Sequence, residues 1–404
     1  MTVMLCGGIA IGWTCAFGCA SKTGLDMPLM EDAAATIQHN YVDRPAVSET
    51  NLTYGAIEGM VNSLGDYGHS TFLSPEMLKE LKDQERGEFK GIGIEIRMKD
   101  NQVVVVSPLD GSPAQRAGFK AGDVILKVDG ADIGGWPLSR VVGDITGPAG
   151  SKVRITLLEA KTGKTRDVTV TRASIKINNV TWVELPGTKI VHLRIASFNR
   201  SSARDLRAAL KEIKATDCEG IVLDLRNNPG GLLDQAVDGA SEFLKGGNVL
   251  LVKDANGKVS PTPAKHGGLA TNIPLVVLVN QGSASGAEIV AGALRDTRGA
   301  TLVGETTFGT GTVLGEFHLG DGSAMLLAIQ EWLTPKGQSF WHKGITPQVQ
   351  VALPENASPE FPETERTMTA EELQSSPDRQ LLRALEILKS EVTSPSERAT
   401  AGQL

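Results

Sequence analysis

The run Pro274-Leu275-Val276-Val277-Leu278-Val279 leads straight into Asn280-Gln281-Gly282-Ser283-Ala284-Ser285-Gly286-Ala287-Glu288-Ile289-Val290. Its first part is short, apolar and rich in β-branched residues, the pattern of a strand buried on both faces. In its second part Ala287, Ile289, Val290 and then Ala293 and Leu294 recur at helical spacing. Small residues therefore stand where a strand gives way to a helix. A serine at that point lies beside helix N-terminal amides that have no partner within the helix, and such amides can hold a developing oxyanion. Ser283 and Ser285 would serve equally well as plain helix caps. This stretch alone thus names two serines and two roles.

A second turn of the same kind lies upstream. Residues 220–225 read as a buried strand, followed by Arg226-Asn227-Asn228-Pro229-Gly230-Gly231. A glycine pair at the carboxyl end of a strand lets backbone N–H groups face a cleft with no Cβ in the way. With Ser285 at a neighbouring strand end, the N–H groups of Gly230 and Gly286 are expected to form a two-donor oxyanion hole. Strand patterns at 190–196, 248–252, 301–304, 325–329 and 348–351, with helical patterns at 202–215 and 232–243, complete an α/β unit. Beyond residue 353 the chain is rich in Pro, Glu and Ser, and reads as one helix at 377–390 and a polar tail.

Residues 87–174 have a different texture, alternating strands and turns. Phe89-Lys90-Gly91-Ile92-Gly93-Ile94 is a glycine-bearing loop entering a strand. Gly111-Ser112-Pro113-Ala114 opens a short helix, Val128-Asp129-Gly130 closes a strand with an Asp-Gly turn, and 141–145 suggests a second helix. This block resembles a PDZ domain along its whole length. The resemblance implies that the amides of Gly91, Ile92, Gly93 and Ile94 receive a peptide's C-terminal carboxylate, the peptide adding as an edge strand. Read without the resemblance, the block is a small β-barrel.

The PDZ-like block, the Asp224-Leu225-Arg226 to Gly231 turn, the Ser283-Ala284-Ser285 elbow and Val303-Gly304-Glu305-Thr306-Thr307-Phe308-Gly309-Thr310-Gly311-Thr312-Val313 follow one another in order. Together they resemble the C-terminal processing (tail-specific) serine peptidases with an inserted PDZ domain, over residues 30–353. The resemblance implies an α+β multidomain protein with an N-terminal helical segment, a PDZ β-barrel-like domain and a crotonase/ClpP-like α/β catalytic core. It also places the nucleophile on Ser285, with Ser283 as a framework neighbour.

One position departs from the family pattern. Where the family carries its general-base lysine in Phe-Gly-Lys-Gly-Thr-Val-Gln, this chain reads Phe308-Gly309-Thr310-Gly311-Thr312-Val313-Leu314. Thr310 cannot take a proton from a serine hydroxyl at neutral pH. His69, in Gly68-His69-Ser70-Thr71, is the candidate base, because it is similar in kind and place to the histidine that precedes the PDZ domain in tricorn-type peptidases. Lys336, His342 and Lys343 are rivals. His39, His192, His266 and His318 read as solvated or structural, and no ligand spacing suggests a metal. No cofactor is implied.

Composition bounds the rest. The 404 residues carry a net charge of −7, with 41% hydrophobic and 22% charged residues, as in an ordinary globular protein. The acidic balance argues against a nucleic-acid partner. Three of four cysteines lie in the first twenty residues, so no disulfide framework is implied, and Cys218 reads as a packing residue. The first 21 residues bear no charge and read as an export signal or anchor, placing the protein in the periplasm, cell envelope or extracellular space. The expected division is a signal or anchor at 1–21, a helical segment at 22–86, the PDZ domain at 87–174, the peptidase core at 175–353 and the helix with its tail at 354–404. The expected activity is a serine endopeptidase that captures polypeptides by their C-termini. The alternative is a PDZ-bearing pseudoprotease that binds tails without cutting. Membrane attachment through the N-terminus and self-association are both compatible with this reading.

Overall fold

A computed structural model describes residues 24–393, apart from 45–46, 67–69, 86–87, 100–101, 109–111, 121, 137, 161, 177–178 and 355–356. The chain forms two compact units, one of residues 83–178 and one of the residues before and after that insertion.

The larger unit is built on a six-stranded sheet. Its order is Val180–Glu184, Ile190–Ile195, Gly220–Asp224, Leu275–Val279, Thr301–Gly304 and Val349–Gln350. The first pair is antiparallel and the rest are parallel. Both faces are covered, which is why the central strands read as unbroken apolar runs. Successive side chains in a strand point to opposite faces. Accordingly Leu275, Val277 and Val279 join a core with helices Ser202–Lys214, Leu233–Ser241 and Gly286–Ala293, while Val276 and Leu278 pack with Leu381, Ala384, Leu385 and Leu388.

Those last residues belong to helix Arg379–Thr393. Where the sequence suggested a helix and polar tail appended to the core, the structure makes that helix the sheet's second cover. Its polar composition belongs to its outer face.

A second, antiparallel sheet flanks the first. Ala324–Leu333 lies between Thr71–Leu73 and Asn248–Asp254, which pairs in turn with Val259–Pro263, and Thr312–His318 also pairs with Ala324–Leu333. The N-terminal region is thus helices Met27–Asn40 and Glu49–Asn62 followed by a strand of this sheet and helix Pro75–Glu85. Leu78 and Leu81 of that last helix pack on Leu73, Leu314 and Leu326. Among the described residues no helix is long and apolar enough to cross a membrane.

The smaller unit is an antiparallel sheet in the order Ile94–Lys99, Gln102–Pro108, Val124–Val128, Lys152–Leu158 and Thr165–Thr171, with Glu88–Gly91 paired to Ala173–Lys176. Helix Leu138–Ile145 closes it, with Val141 and Ile145 buried among Ile92, Val153 and Ile155.

Candidate active site

Leu275–Val279 ends at Asn280, and helix Gly286–Ala293 begins six residues on. Between them the chain turns sharply at Ser285, whose φ of 56° and ψ of −113° lie outside the regions open to most L-residues. Holding a non-glycine residue there costs about 1–3 kcal/mol, and a serine on such a strained strand-to-helix turn has the form of a nucleophile elbow. Ser285 itself stands at the N-cap position of the helix, and Ser283 is a brace rather than a cap. It is fully buried, its Oγ donating to the Leu225 carbonyl at 2.8 Å and accepting the Asn280 N–H at 2.9 Å. It ties the elbow to the neighbouring strand end.

Further bonds join the two strand-end turns. Asn280 Nδ2 donates to Asn227 Oδ1 at 2.8 Å, while the Asn227 N–H donates to Asn280 Oδ1 at 2.9 Å. The Ala284 N–H donates to the Asn228 carbonyl at 2.9 Å. Gly230 is thereby set directly against Ser285. A Cβ at Gly230 would stand 2.7 Å from Ser285 Cβ and 2.8 Å from the Gly286 nitrogen, and its φ of +100° is one that only glycine adopts freely.

The two expected oxyanion donors differ in state. The Gly286 N–H, first in its helix, has no acceptor among the described residues. The Gly230 N–H instead donates to Asn228 Oδ1 at 2.8 Å, because the buried Asn228 side chain folds back over its own turn. In this structure Gly230 contributes a bare Cα face to the site, and its amide is already engaged.

Glu288, one turn into the helix, is a residue that sequence reading passed over. Its fully buried carboxylate accepts the Ser285 N–H at 2.9 Å, the Gly309 N–H at 2.8 Å, the Thr310 N–H at 2.9 Å and the Thr307 hydroxyl at 2.5 Å. Burial pushes its pKa up and these donors oppose that. Four donors converging on two oxygens is the hydrogen-bond complement of an ionised carboxylate. Glu288 therefore couples the Ser285 backbone to the loop containing Thr310. The only advance signal was an acidic residue in a helix's first turn, which ordinarily marks a solvated cap.

His69 lies outside the described residues. Its flanks do not. Ser70 Oγ donates to Asp66 Oδ2 at 2.7 Å and accepts the Ala328 N–H at 3.0 Å. Asp66, nearly buried, also accepts Trp341 Nε1 at 3.3 Å. Of the rival bases, His342 stacks on Trp341 and its ring Nε2 lies 3.6 Å from Asp66, while its backbone N–H donates to the Gly309 carbonyl at 2.8 Å. His192 is structural, buried between Asp224 and Glu365 at 3.1 and 2.7 Å. His318 sits on the surface, 2.8 Å from Glu316. Among the described residues no cluster could hold a metal ion.

In the smaller unit, Gly91, Ile92, Gly93 and Ile94 line a groove of about 170 Å³ with Val142 and Ile145. Gly93 has a φ of +75°, and a Cβ there would lie 2.4 Å from Ser112 Cβ. The loop can hold this course only with glycine at that position.

Comparison with known proteins decides the family. Residues 189–351 match peptidase family S41 and residues 91–177 match the PDZ domain. The chain is 40% identical over 328 residues to the carboxy-terminal-processing protease of Bartonella bacilliformis, covering 80% of this chain and 74% of that one. The chain belongs to the carboxy-terminal-processing serine proteases of family S41. It is also 36% identical over 339 residues to the carboxy-terminal processing protease CtpA of Bacillus subtilis, covering 84% and 72% of the two chains. The solved structure of a photosystem II D1 C-terminal processing protease superposes with a TM-score of 0.52 at 32% identity, covering 81% of this chain and 94% of that one. The α+β architecture expected from the sequence, with N-terminal helices, a PDZ domain and an S41 core, is the one found.

Proposed function

We propose that this S41 protease cleaves polypeptides near their C-termini with Ser285 as nucleophile and His69 as general base. The observation that carries the reading is the strained elbow at Ser285, packed against Gly230 and followed at once by the open amide of Gly286. The Ser285 Oγ attacks the scissile carbonyl. Its proton passes to His69, and the oxyanion is held by the Gly286 N–H. The Gly230 N–H joins it by leaving Asn228 Oδ1 for substrate oxygen, and the charge of the oxyanion offsets the cost of about 1–3 kcal/mol for leaving that buried acceptor without its donor.

Two observations support His69. Thr310 occupies the lysine position, so the proton needs another acceptor. The described flanks of His69 are bonded to Ala328 and Trp341, and Trp341 packs so closely on Gly311, next to Thr310, that a Cβ on that glycine would come within 2.5 Å of Trp341 Cα.

For the substrate, the groove supports capture of a free C-terminus through the amides of residues 91–94. An apolar cavity of about 150 Å³ admits benzene. One of about 170 Å³ therefore suits one bulky apolar side chain at the tail's end. The uncharged first 21 residues support export to the cell envelope or beyond.

The test uses an unfolded substrate bearing an apolar tail. Ser285→Ala is expected to abolish cleavage, and His69→Ala to lower kcat by about 10²–10⁴-fold, the usual range for a general base. Cleavage that survives His69→Ala moves the base to His342, which His342→Ala then checks. A wild-type protein that binds the tail and leaves it intact marks a tail-binding scaffold.

A further inference from the structure

The turn that frames Ser285 is held from behind by the segment beyond residue 353. Arg226, immediately before Asn227, is fully buried. Its Nη1 donates to both oxygens of Asp378 at 2.8 and 2.9 Å and to Gln380 Oε1 at 3.2 Å, and its Nη2 to Asp224 at 2.7 Å and the Glu360 carbonyl at 3.1 Å. Asp378 stands 152 positions away in sequence. Beside it, His192 bridges Asp224 and Glu365, all three buried. Three carboxylates thus face two cationic groups beneath the oxyanion turn.

A cover for the sheet does not need these charges. Leu381, Ala384, Leu385 and Leu388 already supply an apolar one. Buried ion pairs add little stability over well-packed apolar residues, because desolvation offsets their attraction. What they supply is direction, since a guanidinium held by two carboxylates has one orientation. Asn227 and Asn228 then pass that orientation on, interlocked with Asn280 and Ala284, and Gly230 ends against Ser285.

We propose that Asp378 and Glu365 are positioning residues for hydrolysis, acting through Arg226 and Asp224 on the turn at 227–231. The segment beyond residue 353 is in this sense a working part of the site. The inference rests on reading that turn as the oxyanion wall. The near-isosteric Asp378→Asn keeps an acceptor but loses the charge and one side of the fork. In the full chain it is expected to lower kcat by about 10–100-fold, less than the 10²–10³-fold for losing an oxyanion donor outright. KM and the affinity for a fluorescent apolar-tailed peptide should stay within twofold of wild type, and Asp378→Glu should recover part of kcat. Glu365→Gln is expected to lower kcat by a smaller factor of about three to ten, as it acts one bond further back.

A kcat within twofold of wild type in folded Asp378→Asn overturns the proposal even if its thermal midpoint falls, for the role would then be stability alone. If that variant does not fold, an unchanged kcat in Glu365→Gln overturns it instead. Gly230→Ala separates the two readings. Should it remain active, the oxyanion wall itself is misassigned and the proposal goes with it. Should it be dead while Asp378→Asn is unimpaired, only the positioning role fails.

Discussion

The two units prepare their sites by opposite means. The peptidase unit surrounds Ser285 with buried charges whose hydrogen bonds are all to named partners: Glu288 on four donors, and Arg226 between Asp224 and Asp378. The PDZ unit offers a groove lined mainly by apolar side chains and a glycine loop. The difference follows from the tasks. A developing oxyanion gains only from dipoles already fixed in place, whereas a tail contributes hydrophobic area and main-chain bonds that tolerate adjustment. Perturbing a buried charge should therefore lower turnover, and perturbing the groove should weaken capture.

The largest effect is expected at Glu288. Glu288→Ala leaves the amides of Ser285, Gly309 and Thr310 buried without acceptors, each costing about 1–3 kcal/mol. Part of that cost is relieved by movement of the 307–310 loop away from the elbow. The kcat should fall by about 10²–10³-fold, comparable to loss of an oxyanion donor. Glu288→Gln should fall less, since one oxygen still accepts while its amide opposes a donor. Steady-state kinetics beside tail-peptide affinity checks this. A variant that loses tail affinity as well would erase the contrast between the units.

Next in size is a pH effect on stability. His192 is fully buried, and Glu365 and Asp224 overcome the cost of burial to raise its pKa to about 9. In the unfolded chain it titrates near ~6.5. A group whose pKa is raised on folding stabilises the protein below the unfolded value, and that contribution is lost as pH rises through the folded one. The peptidase unit should therefore lose up to about 3 kcal/mol between pH 6.5 and 9 from this residue. Asp224 stays ionised throughout, held far below the usual carboxylate range chiefly by Arg226 against the opposing effect of burial. Thermal midpoints of wild type and His192→Gln across this window check the point. The wild-type midpoint should descend more steeply, while tail affinity stays level.

These two groups also mark where sequence reading stops. The elbow, the glycine turn and the PDZ block are local patterns. An apolar strand, small residues and a helical period lie together within residues 274–294, which narrows the nucleophile to Ser283 or Ser285, and the family resemblance chooses Ser285. Glu288 could not be found that way. Its partners at 307–310 lie about twenty residues on, and a glutamate in a first turn ordinarily faces water. The segment beyond 353 was harder still. Its composition reads as solvated, and Glu365 and Asp378 acquire meaning only against His192 and Arg226, 173 and 152 positions away. The engagement of the Gly230 amide by Asn228 was hidden for another reason, since it depends on one side-chain rotamer. The departure at Thr310 was legible as a missing base, though not as a loop fastened to Glu288 through its backbone.

The smallest effect tests the groove. Val142 lines it from helix Leu138–Ile145 and remains 40% exposed, so substitution there disturbs little packing. Val142→Asp would set a carboxylate among apolar groups near an incoming tail that carries one of its own. Loss of apolar contact with added repulsion should weaken binding of a Leu-ended peptide about tenfold, or about 1.4 kcal/mol. The same substitution should raise KM for the tailed substrate by a similar factor and leave kcat unchanged, because binding lost equally from ground and transition states appears only in KM. In wild type, exchanging the terminal Leu for Asp should cost as much, since Lys90 in that wall is already paired with Asp83. If kcat falls as KM rises in Val142→Asp, capture and turnover are coupled. The division of labour drawn between fixed charges and yielding groove would then have to give way to a groove that also sets the state of the catalytic unit.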